Sequence, residues 1–238
     1  MRRGIFVAPF GELADAALLA GLAAEAEAAG WDGFFLWDHI VYTETSDVAD
    51  PWVALTAVAM RSERLTIGPL VTPVARRRPH KLARETATLQ RLSGGRLVLG
   101  VGLGGERHGE FAFPGEETDA RERARLLDEG LERLQAYWGG ELRPAVEVPV
   151  WVAGRYPNRR PLRRAARFDG YFPIDLPGPE ALAELVAELP DGHEVIVTGE
   201  PGEDTAAWER AGATWFLAGF GRDPKAADVR AAIAIPAE

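Results

Sequence analysis

Short apolar runs and amphipathic helical stretches alternate along the whole chain, and this alternation limits the possible folds more than any other feature. One helical stretch places five apolar residues on a single face at spacings of three and four: Ala124, Leu127, Leu131, Leu134 and Trp138. The runs that begin at Gly33, Leu65 and Leu97 are continuously apolar, which is typical of parallel strands covered by helices. The predicted strands are Gly4–Pro9, Gly33–Trp37, Leu65–Thr72, Leu97–Gly102, Val148–Gly154, Gly170–Ile174, Glu194–Thr198 and Thr214–Phe220. Eight strand–helix units predict a single, compact α/β barrel of the (β/α)8 type with few insertions, occupying residues 1–238 as one domain.

An open, doubly wound sheet is the alternative architecture. The turn after the first predicted strand, Pro9–Glu12, lacks the G-x-G-x-x-G pattern that binds dinucleotides in that fold. The glycine cluster Gly100–Gly105 lies instead at the end of the fourth predicted strand. Asp50-Pro51 and Asp223-Pro224 are typical helix starts, with a capping aspartate and a proline in the first turn.

Composition excludes several classes of function. The 238 residues contain no cysteine, which excludes disulfides, thiolate metal sites and cysteine nucleophiles. Asp and Glu number 36 against 27 Lys and Arg, and a net charge of −9 argues against nucleic-acid binding. No apolar stretch approaches the ~18 residues of a membrane-spanning helix, and the N-terminal run is too short for a signal peptide. We therefore expect a cytoplasmic protein that acts on a small molecule, with neither nucleic acid nor membrane as partner.

The loops that follow the strands of a barrel form its active-site face, so residues at the predicted strand ends are candidates for chemistry. The second strand ends in Asp38-His39, and histidine is the side chain best suited to move a proton near neutrality. Because neighbouring residues at a strand end point in different directions, we do not expect Asp38 to orient His39 directly. A capping aspartate beside a partly exposed histidine is the alternative interpretation. His193 lies at the opposite face and receives no role.

Basic residues follow the fifth predicted strand at the start of a helix. Arg155 comes directly after Gly154, and four further arginines follow: Arg159, Arg160, Arg163 and Arg164. Guanidinium groups near a helix N-terminus suit an anion such as phosphate. For Arg163 and Arg164 a solvated helix face is the preferred interpretation, and Arg76–Arg78 is the alternative location for the phosphate.

Two other groups of residues carry weaker signals. Glu106, His108 and Glu110 lie in a glycine-rich loop rather than at helical spacing, so we expect no metal site there. Trp37 and Trp52 are the tryptophans placed to wall a flat ligand.

Five segments together resemble one known family. The run Ala28–His39 is similar to the second-strand motif of the bacterial luciferase-like oxidoreductases, which depend on flavin or coenzyme F-420. Ile67–Pro73 is similar to their third strand, and Leu92–Gly102 is the most specific match. Leu127–Leu131 and Ala165–Gly170 follow in the same order, so the resemblance covers residues 4 to 175.

This resemblance implies a barrel that binds FMN or the deazaflavin F-420 at the carboxyl ends of its strands. The ring would rest on a bulge in the third strand, where the bond between Leu70 and Val71 would be a non-prolyl cis peptide. Asp38 and His39 would flank the reactive ring edge as catalytic residues. The implied cofactor-binding residues are Leu70, Val71, Thr72, Gly102, Gly154, Arg155, Tyr156 and Asn158, of which Gly154 and Arg155 match the phosphate loop.

The family further implies hydride transfer or monooxygenation of a small organic substrate that the sequence does not identify. The Asp-His pair favours F-420, because the luminescent relatives carry Glu-His-His at this point. The second half of the chain is short for the family, a departure that bears on the substrate lid and on catalysis. A non-catalytic flavin-binding barrel and a cofactor-free lyase or isomerase with His39 as base are the alternatives.

One predicted helix points to self-association. Residues Trp52–Met60 are almost wholly apolar, whereas an outer barrel helix buries only the face toward the strands. The remaining face predicts a homodimer, since cyclic dimers are the commonest homo-oligomers. Cover by the long loop after the fourth strand is the alternative.

Overall fold

The computed structural model of the protein describes residues 1–42, 47–106 and 108–235. Its strands form one sheet in which every neighbouring pair is parallel, in the order β3-β2-β1-β9-β8-β7-β6-β5-β4. The strands are β1 Arg2–Val7, β2 Gly33–Leu36, β3 Thr66–Pro69, β4 Thr72–Pro73, β5 Leu99–Gly102, β6 Val150–Arg155, β7 Gly170–Ile174, β8 Glu194–Gly199 and β9 Trp215–Gly219.

The third predicted strand, Leu65–Thr72, is wrong as a continuous element. It is divided into β3 and β4 by residues 70 and 71, whose connecting peptide bond is cis. The cis geometry implied by the family resemblance is therefore present. β3 pairs with β2 on one side and β4 pairs with β5 on the other, so the two segments together occupy one position in the barrel.

The sheet closes on itself at this position. A parallel bridge joins Ile67 of β3 to Leu97, two residues before β5. Nine strand segments thus make the eight-position barrel predicted from the sequence, and the (β/α)8 fold is confirmed.

Within the described residues, eight α-helices pack around the strands. Their bounds are α1 Ala16–Ala28, α2 Pro51–Arg61, α3 Pro79–Leu92, α4 Ala120–Ala136, α5 Arg159–Ala165, α6 Pro179–Val186, α7 Ala206–Arg210 and α8 Ala226–Ile233. The Asp50 carboxylate accepts from the backbone N–H of Trp52 and Val53, so the predicted start of α2 is confirmed. The helix start predicted at Asp223 is wrong, because α8 begins at Ala226 and its first turn is closed by Asp228 accepting from the Lys225 N–H.

The core has two layers. Apolar helix faces pack on the outside of the strands, and the α4 stripe predicted at Leu127, Leu131 and Leu134 is buried there. The barrel interior is filled by aromatic rings, among them Phe35, Trp151 and Trp215 with centroids 5.5–5.6 Å apart. This ring cluster fills the barrel interior toward the strand starts.

Across the described residues, none of the helices combines the length and the apolar character that crossing a bilayer requires.

Candidate active site

A cluster of charged and aromatic side chains lies at the carboxyl ends of β2 to β5. Asp38 and His39 follow β2, Arg76 and Arg77 follow β4, and Glu110 lies in the loop between β5 and α4. Parallel strands bring these segments, distant in sequence, to one edge of the barrel. The cluster is held together by buried ion pairs.

Asp38 is the buried anchor of this cluster. The residue is 2% exposed, and its Oδ2 accepts from the Thr72 hydroxyl at 2.7 Å. Arg76 donates to Oδ1 at 2.7 Å, and Arg77 donates to both oxygens at 2.8 and 2.9 Å. Both carboxylate oxygens are thus engaged, and Asp38 ties the end of β2 to the segment that follows the cis bond.

His39 is held by a different carboxylate. Its Nδ1 lies 3.1 Å from Oε2 of Glu110, and its partner is not the adjacent Asp38. The expectation that Asp38 would not orient His39 directly is therefore confirmed. Glu110 is 1% exposed, pairs with Arg76 through its Oε1, and accepts from the Ile40 N–H at 2.9 Å.

The charges around His39 keep its imidazole neutral. The pKa of His39 is lowered to about 4, chiefly by burial and secondly by the positive charge of Arg76, while the negative charge of Asp38 opposes both. Burial also lowers the pKa of the Arg76 guanidinium, although its carboxylate partner Asp38 opposes this. The negative charges of Asp38 and Glu110 already balance the positive charges of Arg76 and Arg77. A protonated His39 would therefore add an uncompensated charge. The ring is therefore neutral at physiological pH.

Aromatic rings surround His39 on the side away from Glu110. Phe10 and Tyr42 contact it edge-on with centroids 5.7 and 5.4 Å away, and Trp37 lies 5.9 Å away. His108 stacks on Tyr42 at 4.2 Å. This aromatic wall limits the access of water to the imidazole.

A shallow apolar cradle lies beside the wall. Val71 packs with Ala153 and Phe172 at the upper end of the barrel interior. Gly102 borders them: a Cβ at this position would lie 2.9 Å from Cγ2 of Val71 and 3.7 Å from Cβ of Ala153. The buried Nε1 of Trp37 has no hydrogen-bond partner within the described ranges. This apolar surface lacks a side chain at Gly102 and lies next to the unsatisfied N–H of Trp37. Such a surface fits a flat heterocyclic ring with polar edges.

The end of β6 and the loop after it carry the residues expected to bind phosphate. Gly154 is buried, and the side chain of Arg155 is 74% exposed and pairs with Asp175. Asn158 caps α5 by accepting from the Arg160 N–H at 3.0 Å, and the partly buried Tyr156 lies between them in the chain. The carboxyl ends of β6 and of β3 to β5 share one face of the barrel, so this loop and the cradle lie at the same end.

Other residues that the sequence suggested for ligand, phosphate or metal binding belong to the core or are engaged in structural contacts. Trp52 belongs to the core between strands and helices, and Arg164 pairs with Asp128. Glu106 accepts from two backbone N–H groups of its own loop, those of Phe111 and Ala112. Within residues 1–42, 47–106 and 108–235, no group of three acidic or histidine side chains could hold a metal ion.

Two cavities lie away from the charged cluster. A cavity of about 540 Å³ opens at the strand starts beside Trp151, His193 and Trp215, and another of about 630 Å³ lies beside Trp138. Neither contains a residue of the charged cluster. We place the candidate site at the cluster because its buried, paired ionisable groups are those that chemistry requires.

Glu110 and Arg76 are the site residues that sequence reasoning missed. In the sequence, Glu110 stands out only beside Glu106 and His108 in a pattern like a metal site, and Arg76 only within an alternative location for phosphate. Their partners lie 71 and 38 residues away in sequence. No local pattern in the sequence indicates either pairing.

Comparison with known proteins identifies relatives of this chain. Residues 1–236 match the luciferase-like monooxygenase family. An F-420-dependent glucose-6-phosphate dehydrogenase of Beutenbergia cavernae is 34% identical over 191 residues, which cover 70% of this chain and 55% of that protein. The enzyme of the same name from Microbacterium testaceum is 32% identical over 219 residues, covering 76% and 64%. The chain thus spans somewhat more than half the length of these curated relatives.

Solved structures share the fold at lower identity. An F-420-dependent secondary alcohol dehydrogenase in complex with an F-420–acetone adduct superposes with a TM-score of 0.78 at 17% identity, covering 96% of both chains. The F-420-dependent tetrahydromethanopterin reductase of Methanopyrus kandleri gives 0.74 at 16% identity, covering 98% of this chain and 97% of that one. The match over residues 1–236 establishes that this chain belongs to the luciferase-like monooxygenase family.

Proposed function

We propose that this protein transfers a hydride between a small organic alcohol, or its carbonyl product, and the deazaflavin coenzyme F-420. The observation that carries the proposal is a half-buried His39, held at Nδ1 by Glu110, beside an apolar cradle at the mouth of the barrel. A neutral imidazole can accept the hydroxyl proton of an alcohol as the adjacent carbon loses its hydride. When bound, F-420 supplies the two-electron hydride acceptor that amino-acid side chains lack.

In this mechanism Nε2 of His39 takes the hydroxyl proton. The C–H bond of the alcohol breaks with its electron pair, the carbonyl double bond forms, and the O–H proton passes to the imidazole. The aromatic wall of Phe10, Trp37 and Tyr42 would shield part of the imidazole from water during this transfer. Asp38, whose oxygens are all engaged, acts as a positioning residue that holds Arg76 and Arg77 in place.

Val71, Gly102 and the Leu70–Val71 bond would hold the ring, and the loop Gly154–Asn158 with Arg155 would hold the phosphate. The names of the relatives support F-420 over FMN. A neighbouring FMN-bound monooxygenase fold, with a TM-score of 0.69, keeps FMN as the second candidate.

Absorbance titration of the purified protein with F-420 and with FMN tests the choice of cofactor. We expect tighter binding of F-420 and bleaching of its visible band when a secondary alcohol is added. Binding of FMN with no binding of F-420 would favour the monooxygenase alternative. Binding of neither would contradict the proposal and favour a cofactor-free lyase or isomerase.

The variant His39→Ala tests the proton acceptor. We expect it to fold and to bind F-420, but to reduce F-420 about a hundredfold more slowly, as loss of a proton-transfer group does. Arg163→Ala, an exposed change on α5, is the matched control and should leave the rate unchanged. A wild-type rate in His39→Ala would exclude His39 as the acceptor.

We also propose that the protein works as a cytoplasmic homodimer that pairs through α2. Val53 and Met60 on this helix are each 66% exposed, and Leu92 at the matching end of the adjacent α3 is also exposed. The described part of the loop after β5 leaves Val53 and Met60 open to solvent. An apolar stripe of this kind supports a two-fold contact between copies.

A further inference from the structure

Large apolar side chains that stay exposed are concentrated in two places among the described residues. Val53, Met60 and Leu92 belong to the stripe on α2 and α3, whereas Ile40 and Phe113 lie at the barrel mouth. Ile40 is 42% exposed and Phe113 is 80% exposed. Apolar surface left in water beside a candidate active site is available to an apolar ligand.

Ile40 and Phe113 lie in two loops that meet at the site. The Ile40 N–H donates to Oε1 of Glu110 at 2.9 Å, which joins the loop after β2 to the loop after β5. The Phe113 N–H donates to the Gly109 carbonyl at 3.0 Å, so Phe113 follows Glu110 within one turn. Both exposed side chains therefore belong to the pair of joined loops that also carries His39.

The barrel interior adds a further apolar surface at the mouth. Trp37, directly after β2, is partly buried and packs against the aromatic cluster of the interior. Val71 and Gly102 are the residues proposed to hold the cofactor ring. Trp37 and Ile40, which precede and follow His39 closely in the chain, are thus left to contact a substrate.

The arginines of the charged cluster are not available to an anionic substrate. The side chain of Arg76 is 3% exposed and pairs with both Asp38 and Glu110, and Arg77 pairs with Asp38. A phosphate or carboxylate on the substrate would have to break one of these ion pairs. Breaking a buried ion pair leaves a charge without its partner, which is strongly unfavourable.

The loops around the mouth are acidic in sequence. Residues 38–50 contain four Asp or Glu and no Lys or Arg, and residues 103–119 contain five Asp or Glu and one Arg. Asp50 and Asp119 cap helices, and Glu106 accepts from a backbone N–H of its own loop. The field of these loops repels an anion, while these three carboxylates are engaged with the backbone rather than open to a cationic ligand.

From these observations we propose that the substrate is an uncharged alcohol, or its ketone, whose hydrocarbon chain binds against Trp37 and Ile40. The inference rests on the proposed function for the hydride transfer and adds the chemical class of the substrate. The hydroxyl group faces His39, and the chain extends over Ile40 toward Phe113. Each methylene group that leaves water strengthens binding, so affinity rises with chain length.

Rates of F-420 reduction with 2-propanol, 2-butanol, 2-hexanol and glucose 6-phosphate test this class. Glucose 6-phosphate is the substrate in the names of the curated relatives. We expect kcat/KM to rise about twofold to fourfold for each added methylene group, and to be at least about tenfold lower for glucose 6-phosphate than for 2-hexanol. Equal values for 2-propanol and 2-hexanol, or a higher value for glucose 6-phosphate, would overturn the inference and leave the proposed hydride transfer intact.

The variant Ile40→Ser tests the contact surface. We expect kcat/KM for 2-hexanol to fall about fivefold to tenfold and that for 2-propanol to change less than about twofold, because only the longer chain reaches Ile40. Leu92→Ser is the matched control, since it removes an exposed apolar side chain at the end of α3, on the opposite face of the barrel. It should keep both wild-type values. Equal losses for the two alcohols in Ile40→Ser would contradict the contact.

Calorimetric titration with 2-hexanone and with glucose 6-phosphate, with and without F-420, separates the inference from the function on which it rests. We expect 2-hexanone to bind and Ile40→Ser to weaken its binding, with no binding of glucose 6-phosphate. This result in a protein that reduces F-420 with no alcohol would support the apolar site and contradict the proposed reaction. No binding of 2-hexanone under either condition would overturn the inference.

Discussion

At the scale of single residues, His39 shows how burial of a titratable side chain makes the stability of the fold depend on pH. Its pKa of about 4 lies below the model-compound value of 6.5, chiefly because burial disfavours the charged ring. The unfolded chain therefore binds a proton as the pH falls below 6.5, whereas the folded protein does not until about pH 4. The contribution of His39 to stability is complete above pH 6.5 and is lost progressively down to pH 4.

We expect the free energy of unfolding of the wild type to fall by up to about 3 kcal/mol from this group between pH 6.5 and 4. His39→Gln should lack that part of the slope, as measured by urea titrations at half-unit pH intervals. His80→Gln, at the exposed start of α3, is the control and should keep the wild-type slope. Parallel slopes for the wild type and His39→Gln would contradict a depressed pKa.

Arg155 illustrates a residue whose present partner competes with its proposed ligand. It pairs with Asp175 on the surface, so a phosphate would have to replace that carboxylate. We expect Arg155→Ala to weaken FMN binding by about 1.5–3 kcal/mol, as loss of a charge-assisted hydrogen bond does, and riboflavin binding much less. Isothermal titration with both ligands measures the difference.

Replacing the partner of Arg155 provides the control for this prediction. Asp175→Ala removes the competing carboxylate, so FMN should bind as tightly as in the wild type or more tightly. Equal losses for FMN and riboflavin in Arg155→Ala would move the phosphate site elsewhere, with Arg77 and the exposed Arg78 as the next candidates.

At the scale of strands and loops, the end of β5 sets the floor of the cradle. A methyl group at Gly102 would lie 2.9 Å from Cγ2 of Val71, which is too close without a shift of that side chain. We expect Gly102→Ala to weaken binding of F-420 at least about fivefold, equivalent to about 1 kcal/mol of overpacking, while the barrel still folds. Gly105→Ala is the matched control, because a Cβ there meets nothing within 4 Å. Equal affinities in the two variants would place the ring away from β5.

The elements differ in how far sequence alone determines them. Short apolar runs predicted all eight barrel positions, and three of them are continuously apolar, as strands covered by helices are. The break between β3 and β4 could not be predicted from hydropathy, since residues 65–72 are apolar on both sides of it. It was anticipated only through resemblance to a family. The start of α8 was missed because Asp228, inside the helix, closes its first turn in place of Asp223.

At the scale of the whole molecule, the barrel was predictable and the pairings inside the site were not. Local patterns determine where strands and helices form, whereas the contacts of Glu110 with His39 and of Asp38 with Arg76 depend on the order in which strands close the sheet. The sequence identified His39 correctly as a residue of the barrel mouth. It could not show that a carboxylate 71 residues away holds the imidazole.

The exposed apolar residues of α2 predict that the molecule forms a dimer. Val53 and Met60 lie seven residues apart on one face of the helix and are exposed, whereas Leu55 and Val58 on the opposite face are buried. Pairing two such stripes across a two-fold axis removes both from water and adds no new element of structure.

We expect sedimentation equilibrium at micromolar concentration to give twice 25.8 kDa for the wild type and 25.8 kDa for the double variant with Val53→Glu and Met60→Glu. Phe113→Glu, a charge added at an exposed apolar residue of the loop after β5, is the control and should remain a dimer. A wild-type particle of 25.8 kDa at all concentrations would exclude the dimer and leave the stripe exposed on a monomer.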